Sequence, residues 1–289
     1  MTNPIYKSAA GEAAVMALYD KTLSHWPVPH TTALLRTRHG DTFVIASGSS
    51  GAPPVILLHG AASNALAWIG EVETYSRGLR VYAIDLPGEP GRSSPNRPSW
   101  SGPAYVEWLE DLLDGLGIER AALVGISQGG WTALKFATAC PERVTALVLL
   151  APAGITTARL SFLLRAIPLS LLGRCGGEAI NRIVFGKQPI HPDAVAFMNV
   201  IMTHFKSRVG ALPNFTDAEL ARLTMPTLLI VGAHDALYAS AQTAARLQRL
   251  VPDLTVRMQP EMGHVLHGLG GEIAAFLVAE CSQEVAQAS

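Results

Sequence analysis

The chain has 289 residues, 22 Lys and Arg against 23 Asp and Glu, and a formal net charge of −1; 49% of its residues are hydrophobic and 16% charged. That apolar share excludes wholesale disorder and supplies one large core, or a core with one insertion. Balanced charge leaves no electrostatic footprint for nucleic acid or an anionic membrane. Cys140, Cys175 and Cys281 are far apart and odd in number. They make neither a disulfide framework nor a C-x-x-C metal or redox pair, and they point to a reduced, cytoplasmic setting. The first residues lack a basic leader, and Glu12 and Asp20 interrupt their apolar stretch. The longest apolar run, Val144–Ile155, contains Pro152. It is well short of the roughly 20 residues a membrane span needs, so no stable membrane insertion is expected.

In chain order, residues 8–26 place Val15, Leu18, Leu23 and Trp26 at helical spacing and stop before Pro27. They form a helical extension within residues 1–30. Leu34–Thr37 and Thr42–Ala46 read as a hairpin around His39-Gly40-Asp41. Six short apolar runs follow: 55–58, 80–84, 121–126, 144–150, 227–231 and 254–258. Bounded by Gly and Pro, they suit strands covered on both faces. Helical patterns lie around 64–76, 103–116, 128–139, 239–250 and 270–280. Strand–helix alternation predicts an α/β core, a mostly parallel sheet with helices on both faces, over residues 31–152 and 225–289. Residues 153–224 carry no strand pattern. Several helices punctuated by Pro168, Gly173, Gly186, Pro189, Pro192 and Pro213 predict a helical cap inserted before the fifth apolar run.

Ligands of open parallel sheets sit at the carboxyl ends of the strands. His59-Gly60, Asp85, Ser127, Asp235 and His264 stand there. Ser127 lies in Gly125-Ile126-Ser127-Gln128-Gly129, a G-x-S-x-G turn between a strand and a helix. Such a turn strains the serine backbone and lifts its hydroxyl above the sheet edge. His264 is the expected base, with His267 as competitor. Asp235 is the expected acid, with Asp217 read as a helix cap and Asp253 as a solvated turn. An oxyanion needs two convergent N–H donors. Gln128, at the helix start, supplies one and Ala61, after His59-Gly60, the other. The His59 side chain is expected to bond loop backbone. G-x-G-x-x-G, G-x-x-x-x-G-K-[ST] and H-E-x-x-H patterns are absent, which removes dinucleotide, nucleoside triphosphate and zinc-protease readings.

These residues in this order resemble the α/β-hydrolase superfamily. His59-Gly60, Asp85-Leu86-Pro87-Gly88, Gly125-Ile126-Ser127-Gln128-Gly129, Asp235 and Gly263-His264 carry the likeness, from about Thr31 to the C-terminus. The order Ser, Asp, His is itself diagnostic. Within the superfamily the chain is similar to bacterial serine carboxylesterases with an extra N-terminal helix. The resemblance implies the α/β-hydrolase fold, catalytic Ser127, Asp235 and His264, and oxyanion donors Ala61 and Gln128. It also implies a cap over the acyl pocket. A serine rather than aspartate nucleophile disfavours dehalogenase and epoxide hydrolase chemistry. No G-G-G-x tetrad follows His59, so bulky tertiary-alcohol esters are less expected. Val265 follows His264, unlike the carbon–carbon bond hydrolases that place Trp there. Glu89-Pro90 lengthens the usual turn after Gly88.

Trp131, Phe162, Leu163 and Val265 are candidates for the substrate pocket. The expected partner is an uncharged small-molecule ester of short to medium chain, turned over without metal or organic cofactor by a monomer or homodimer. Amide or lactone hydrolysis, acyl transfer, cofactor-free perhydrolysis and a non-catalytic receptor are the alternatives.

Overall fold

The computed structural model describes residues 4–170, 172–186 and 192–288; side chains of residues 163, 170, 173, 174, 185 and 282–288 lie outside that description. Among the described residues, eight strands make one sheet, in the order β1-β2-β4-β3-β5-β6-β7-β8. β1 (His30–Leu35) and β2 (Thr42–Ser47) form an antiparallel hairpin, and β2 is antiparallel to β4 (Arg80–Ile84). The remaining neighbours are parallel: β4 with β3 (Pro54–Leu58), β3 with β5 (Ala121–Ile126), then β6 (Val144–Leu150), β7 (Thr227–Gly232) and β8 (Leu254–Gln259). The six apolar runs are thus β3 to β8.

Alternation along the strands divides the core between two faces. In β3, Ile56 and Leu58 face one layer while Val55 and Leu57 face the other. The first layer holds α3 (Ala104–Gly115), α4 (Gln128–Ala139), the short α8 (Asp217–Leu220) and α9 (Ser240–Leu250). The second holds α1 (Ala9–Leu23), α2 (Val72–Tyr75) and α10 (Gly270–Ala288). All four β3 side chains from Val55 to Leu58 are fully buried. Each such burial contributes about 1.5–3 kcal/mol. Burial on both faces does not extend to the edge strands, where β1 is almost wholly exposed and β8 only half-buried.

Several boundaries differ from expectation for local reasons. The first hairpin strand ends at Leu35, since the Thr37 hydroxyl donates to the Gly40 carbonyl at 2.6 Å and pulls Thr37 into the turn. The pattern over 64–76 is not one helix. Asn64 caps a 3₁₀ turn over Ala65–Trp68, and α2 starts only after Gly70. α1 starts at its Ser8 cap and stops at Leu23, three residues before the expected end, where Ser24 and His25 close the last turn.

Between β6 and β7 lie α5 (Leu160–Ser170), α6 (Gly173–Phe185) and α7 (Pro192–His204). The N-terminal segment clasps this insertion. Ile5, Tyr6 and Val15 pack against Ile201 and Phe205 in a separate small cluster. Lys7 N–H donates to the His204 carbonyl and Lys206 N–H to the Ile5 carbonyl, both at 2.8 Å. Gly11 permits the contact, because a Cβ there would come within 2.8 Å of His204 Nδ1.

Candidate active site

Ser127 sits between β5 and α4 with φ 51° and ψ −106°, a left-handed conformation costly for a residue with a Cβ. The turn survives because its flanks are glycine. A Cβ on Gly125 would lie 2.4 Å from the Gly129 carbonyl oxygen, and one on Gly129 would lie 2.1 Å from that of Leu58. Ser127 N–H donates to the Leu150 carbonyl at 2.9 Å, which ties the turn to the end of β6. The serine itself remains half-exposed.

The loop after β8 brings His264 over this turn. Its Nε2 is 3.0 Å from Ser127 Oγ and its Nδ1 is 2.9 Å from Asp235 Oδ2. Asp235 follows β7 and is 3% exposed, His264 6%. The other carboxylate oxygen, Oδ1, accepts the N–H groups of Leu237 at 2.7 Å and Tyr238 at 3.1 Å. Those two bonds fix which oxygen meets the imidazole. The Tyr238 ring packs on the His264 ring, with centroids 5.7 Å apart. His267 is exposed and outside this chain of bonds, and Asp217 instead pairs with Arg246 and Arg249.

The loop after β3 passes beside the serine: a Cβ on Gly60 would lie 3.8 Å from Ser127 Cβ. That is ordinary van der Waals contact, so the approach leaves room for a side chain at position 60. Ala61 is exposed and its N–H meets no acceptor among the described residues. Gln128 opens α4, so its N–H has no partner within the helix and carries the positive end of the helix dipole.

His59 is fully buried. Nε2 accepts the Leu86 N–H at 2.9 Å and Nδ1 donates to the Gly60 carbonyl at 2.7 Å. Loss of hydration pushes its pKa down to about 4, which keeps the ring neutral. Asp85, equally buried, accepts from Ala65 N–H, Arg92 N–H and the Tyr19 hydroxyl; burial nevertheless pushes it up to about 6. Glu89 is 4% exposed, and burial pushes it up to about 7 against hydrogen bonds from Gln128 and Ala62 and the nearby charges of Arg97 and Arg208. Glu89 was legible only as an extra residue in a turn; nothing in its spacing linked it to Ser127.

The pocket candidates separate. Trp131 is 1% exposed and lies in the core, its ring between Tyr105 and Phe215 and its indole N–H donating to the Pro213 carbonyl at 2.9 Å. It fastens the insertion's return segment to α4, and at 1% exposure it lines neither of the cavities described below. Phe162 is half-buried and lines a cavity of about 320 Å³ with Ile183, Arg159, Arg165 and residues 233–236, Asp235 among them. Two arginines make this cavity more polar than the apolar composition of the insertion suggests. Val265 is half-buried next to His264. The Leu163 side chain lies outside the described residues. A larger cavity of about 900 Å³, between α1, the β1–β2 turn and residues 91–95, contains none of these groups. Among the described residues no cluster of three metal-ligating side chains occurs, and no helix is long and apolar enough to cross a membrane.

The profile of the Alpha/beta hydrolase family matches residues 55–276. The chain is 34% identical over 257 residues to the uncharacterized carboxylesterase nap of Bacillus subtilis (strain 168), covering 86% of this chain and 85% of that one. It is 32% identical to carboxylesterase YbfK of the same strain, covering 86% of each. The crystal structure of naproxen esterase (carboxylesterase NP) from Bacillus subtilis superposes with a TM-score of 0.83 at 29% identity, over 96% of this chain and 99% of that one. With its sheet order, the strained serine turn and these likenesses together, the chain belongs to the alpha/beta hydrolase family and is similar over most of its length to bacterial carboxylesterases.

Proposed function

We propose that the protein is a serine carboxylesterase that works through an acyl-enzyme. The observation that carries this is the continuous hydrogen-bonded chain from Ser127 Oγ through His264 to Asp235, built on a strained turn whose serine is open to substrate. His264 Nε2 takes the hydroxyl proton as Ser127 Oγ attacks the ester carbonyl. Ala61 and Gln128 N–H groups receive the developing oxyanion, where preorganised donors supply the largest single catalytic contribution. His264 then gives the proton to the departing alcohol. In the second half, His264 takes a proton from water, the hydroxide equivalent attacks the acyl carbonyl, and Ser127 leaves reprotonated with release of the acid.

Residues 153–224 act as the cap of the acyl site, and residues 1–30 brace it through α7. The substrate is a small-molecule ester with an uncharged acyl chain of short to medium length, for which Phe162, Ile183 and Val265 offer apolar contact. Three cysteines in no disulfide fit a reducing compartment.

Ester hydrolysis by purified protein tests the reading. Ser127→Ala should fold normally and lose turnover by about 10⁶-fold, the scale of nucleophile removal in a related relay. A folded Ser127→Ala protein that keeps about a tenth of wild-type kcat would refute it.

A further inference from the structure

Glu89 stands between the two segments that carry the oxyanion donors. Its Oε2 accepts the Ala62 N–H at 2.8 Å, one residue after Ala61. Its Oε1 accepts from Gln128 Nε2 at 3.0 Å, the side chain of the second donor residue. Ala62 is a non-glycine residue at φ 51°, a conformation that persists only where the surroundings hold it. The Pro90 carbonyl, next to Glu89, accepts from Asn64 Nδ2 at 2.8 Å. Both residues of the turn extension therefore grip the loop after β3.

We propose that Glu89 is a positioning residue of the oxyanion hole, a buried carboxylate strut that sets the spacing between the Ala61 and Gln128 N–H groups. The proposal rests on the serine esterase reading above. Its physical basis is the tolerance of the hole: donors must lie about 2.7–3.1 Å from the oxyanion, not from the ground-state carbonyl. The loop after β3 and the start of α4 are separate elements, and the Glu89 carboxylate bonds to both. Both Glu89 oxygens accept N–H groups, so the ionised carboxylate, the main form above about pH 7, makes the bridge, and hydrogen bonds to it are shorter and stronger than neutral ones. Arg97 and Arg208 lie close enough to offset the Glu89 charge, limiting its repulsion of the oxyanion.

The test is steady-state kinetics on a p-nitrophenyl ester, with affinity for a boronic acid that forms a tetrahedral serine adduct. Glu89→Gln keeps one acceptor oxygen and turns an N–H₂ group toward a donor, so one bond breaks. The expected loss is about 10- to 100-fold in kcat with KM within about threefold, below the penalty for deleting a donor outright. Boronate affinity should fall by a similar factor while affinity for the product acid stays level. The double variant Glu89→Gln/Gln128→Glu should recover most of the loss. In it the amide at position 89 accepts from Ala62 N–H and donates to the carboxylate at position 128. Should Glu89→Gln not fold, Gln128→Ala, which cuts the strut at its other end, should show the same kcat-selective loss. A folded Glu89→Gln protein with kcat within twofold of wild type would overturn the proposal, as would a loss in KM alone or no recovery in the double variant. An inactive wild type would instead sink the esterase reading and leave these ratios unmeasurable, so the two failures are distinct.

Discussion

Asp235 makes three hydrogen bonds with two oxygens, and this division determines what its replacement does. Oδ1 is committed to the Leu237 and Tyr238 N–H groups, so an asparagine there keeps its oxygen on them and turns its N–H₂ toward His264. The imidazole must then accept at Nδ1 and carry its proton on Nε2, facing Ser127 Oγ, where it can no longer take one. Asp235→Asn should therefore reduce kcat by about 10⁴ with little change in KM; near-wild-type kcat would mean another carboxylate serves. Glu89 permits a second residue-scale test, of stability. Its pKa rises from an ordinary 4.5 to about 7 on burial, so between those values the folded state binds more protons than the unfolded one. Stability then falls as pH rises through that window and levels off above it, by roughly 3 kcal/mol. Asp85 acts in the same direction up to about pH 6, while neutral His59 acts in the opposite direction above about pH 4. Both are common to wild type and Glu89→Gln, so the difference between the two proteins isolates Glu89. Urea unfolding should show the wild type losing ground to the variant from pH 5 to pH 8, and a pH-independent difference would refute the assignment.

At the scale of elements, the glycines sort by what lies behind them. Gly129 faces the Leu58 carbonyl across the nucleophile turn, and a methyl there has no room without moving backbone. Gly129→Ala should cost about 1–3 kcal/mol or more and displace Ser127. Gly60→Ala meets only ordinary contacts and should stay within about 0.5 kcal/mol of wild type in thermal unfolding. The same contrast explains what was legible beforehand. The G-x-S-x-G turn, the six apolar runs and the histidine and aspartate after the last two strands rest on local chemistry: strand periodicity and backbone room. Trp131 was misplaced because an aromatic at helical spacing reads alike whether it faces a pocket or, as here, Tyr105 and Phe215. Glu89 was missed because its partners, Ala62 and Gln128, are distant in sequence and meet it only through tertiary packing. The region 64–76 was overextended because apolar spacing outweighed Gly70.

Across the whole molecule, one sheet brings three remote segments to a common edge. β5 ends at the serine, β7 before the aspartate and β8 before the histidine, and parallel pairing through β6 places all three at the carboxyl ends. The N-terminal segment and α7 close against each other on the side of the loop after β3, where Ala62 borders their small cluster. In the proposed mechanism Ser127 is the group that becomes acylated. Incubation with a fluorophosphonate, followed by mass spectrometry of the digested protein, measures this directly. A single adduct on Ser127, lost in Ser127→Ala and strongly slowed in His264→Ala, is the predicted result. A folded wild type that gains no adduct, or carries it on another residue, would contradict it.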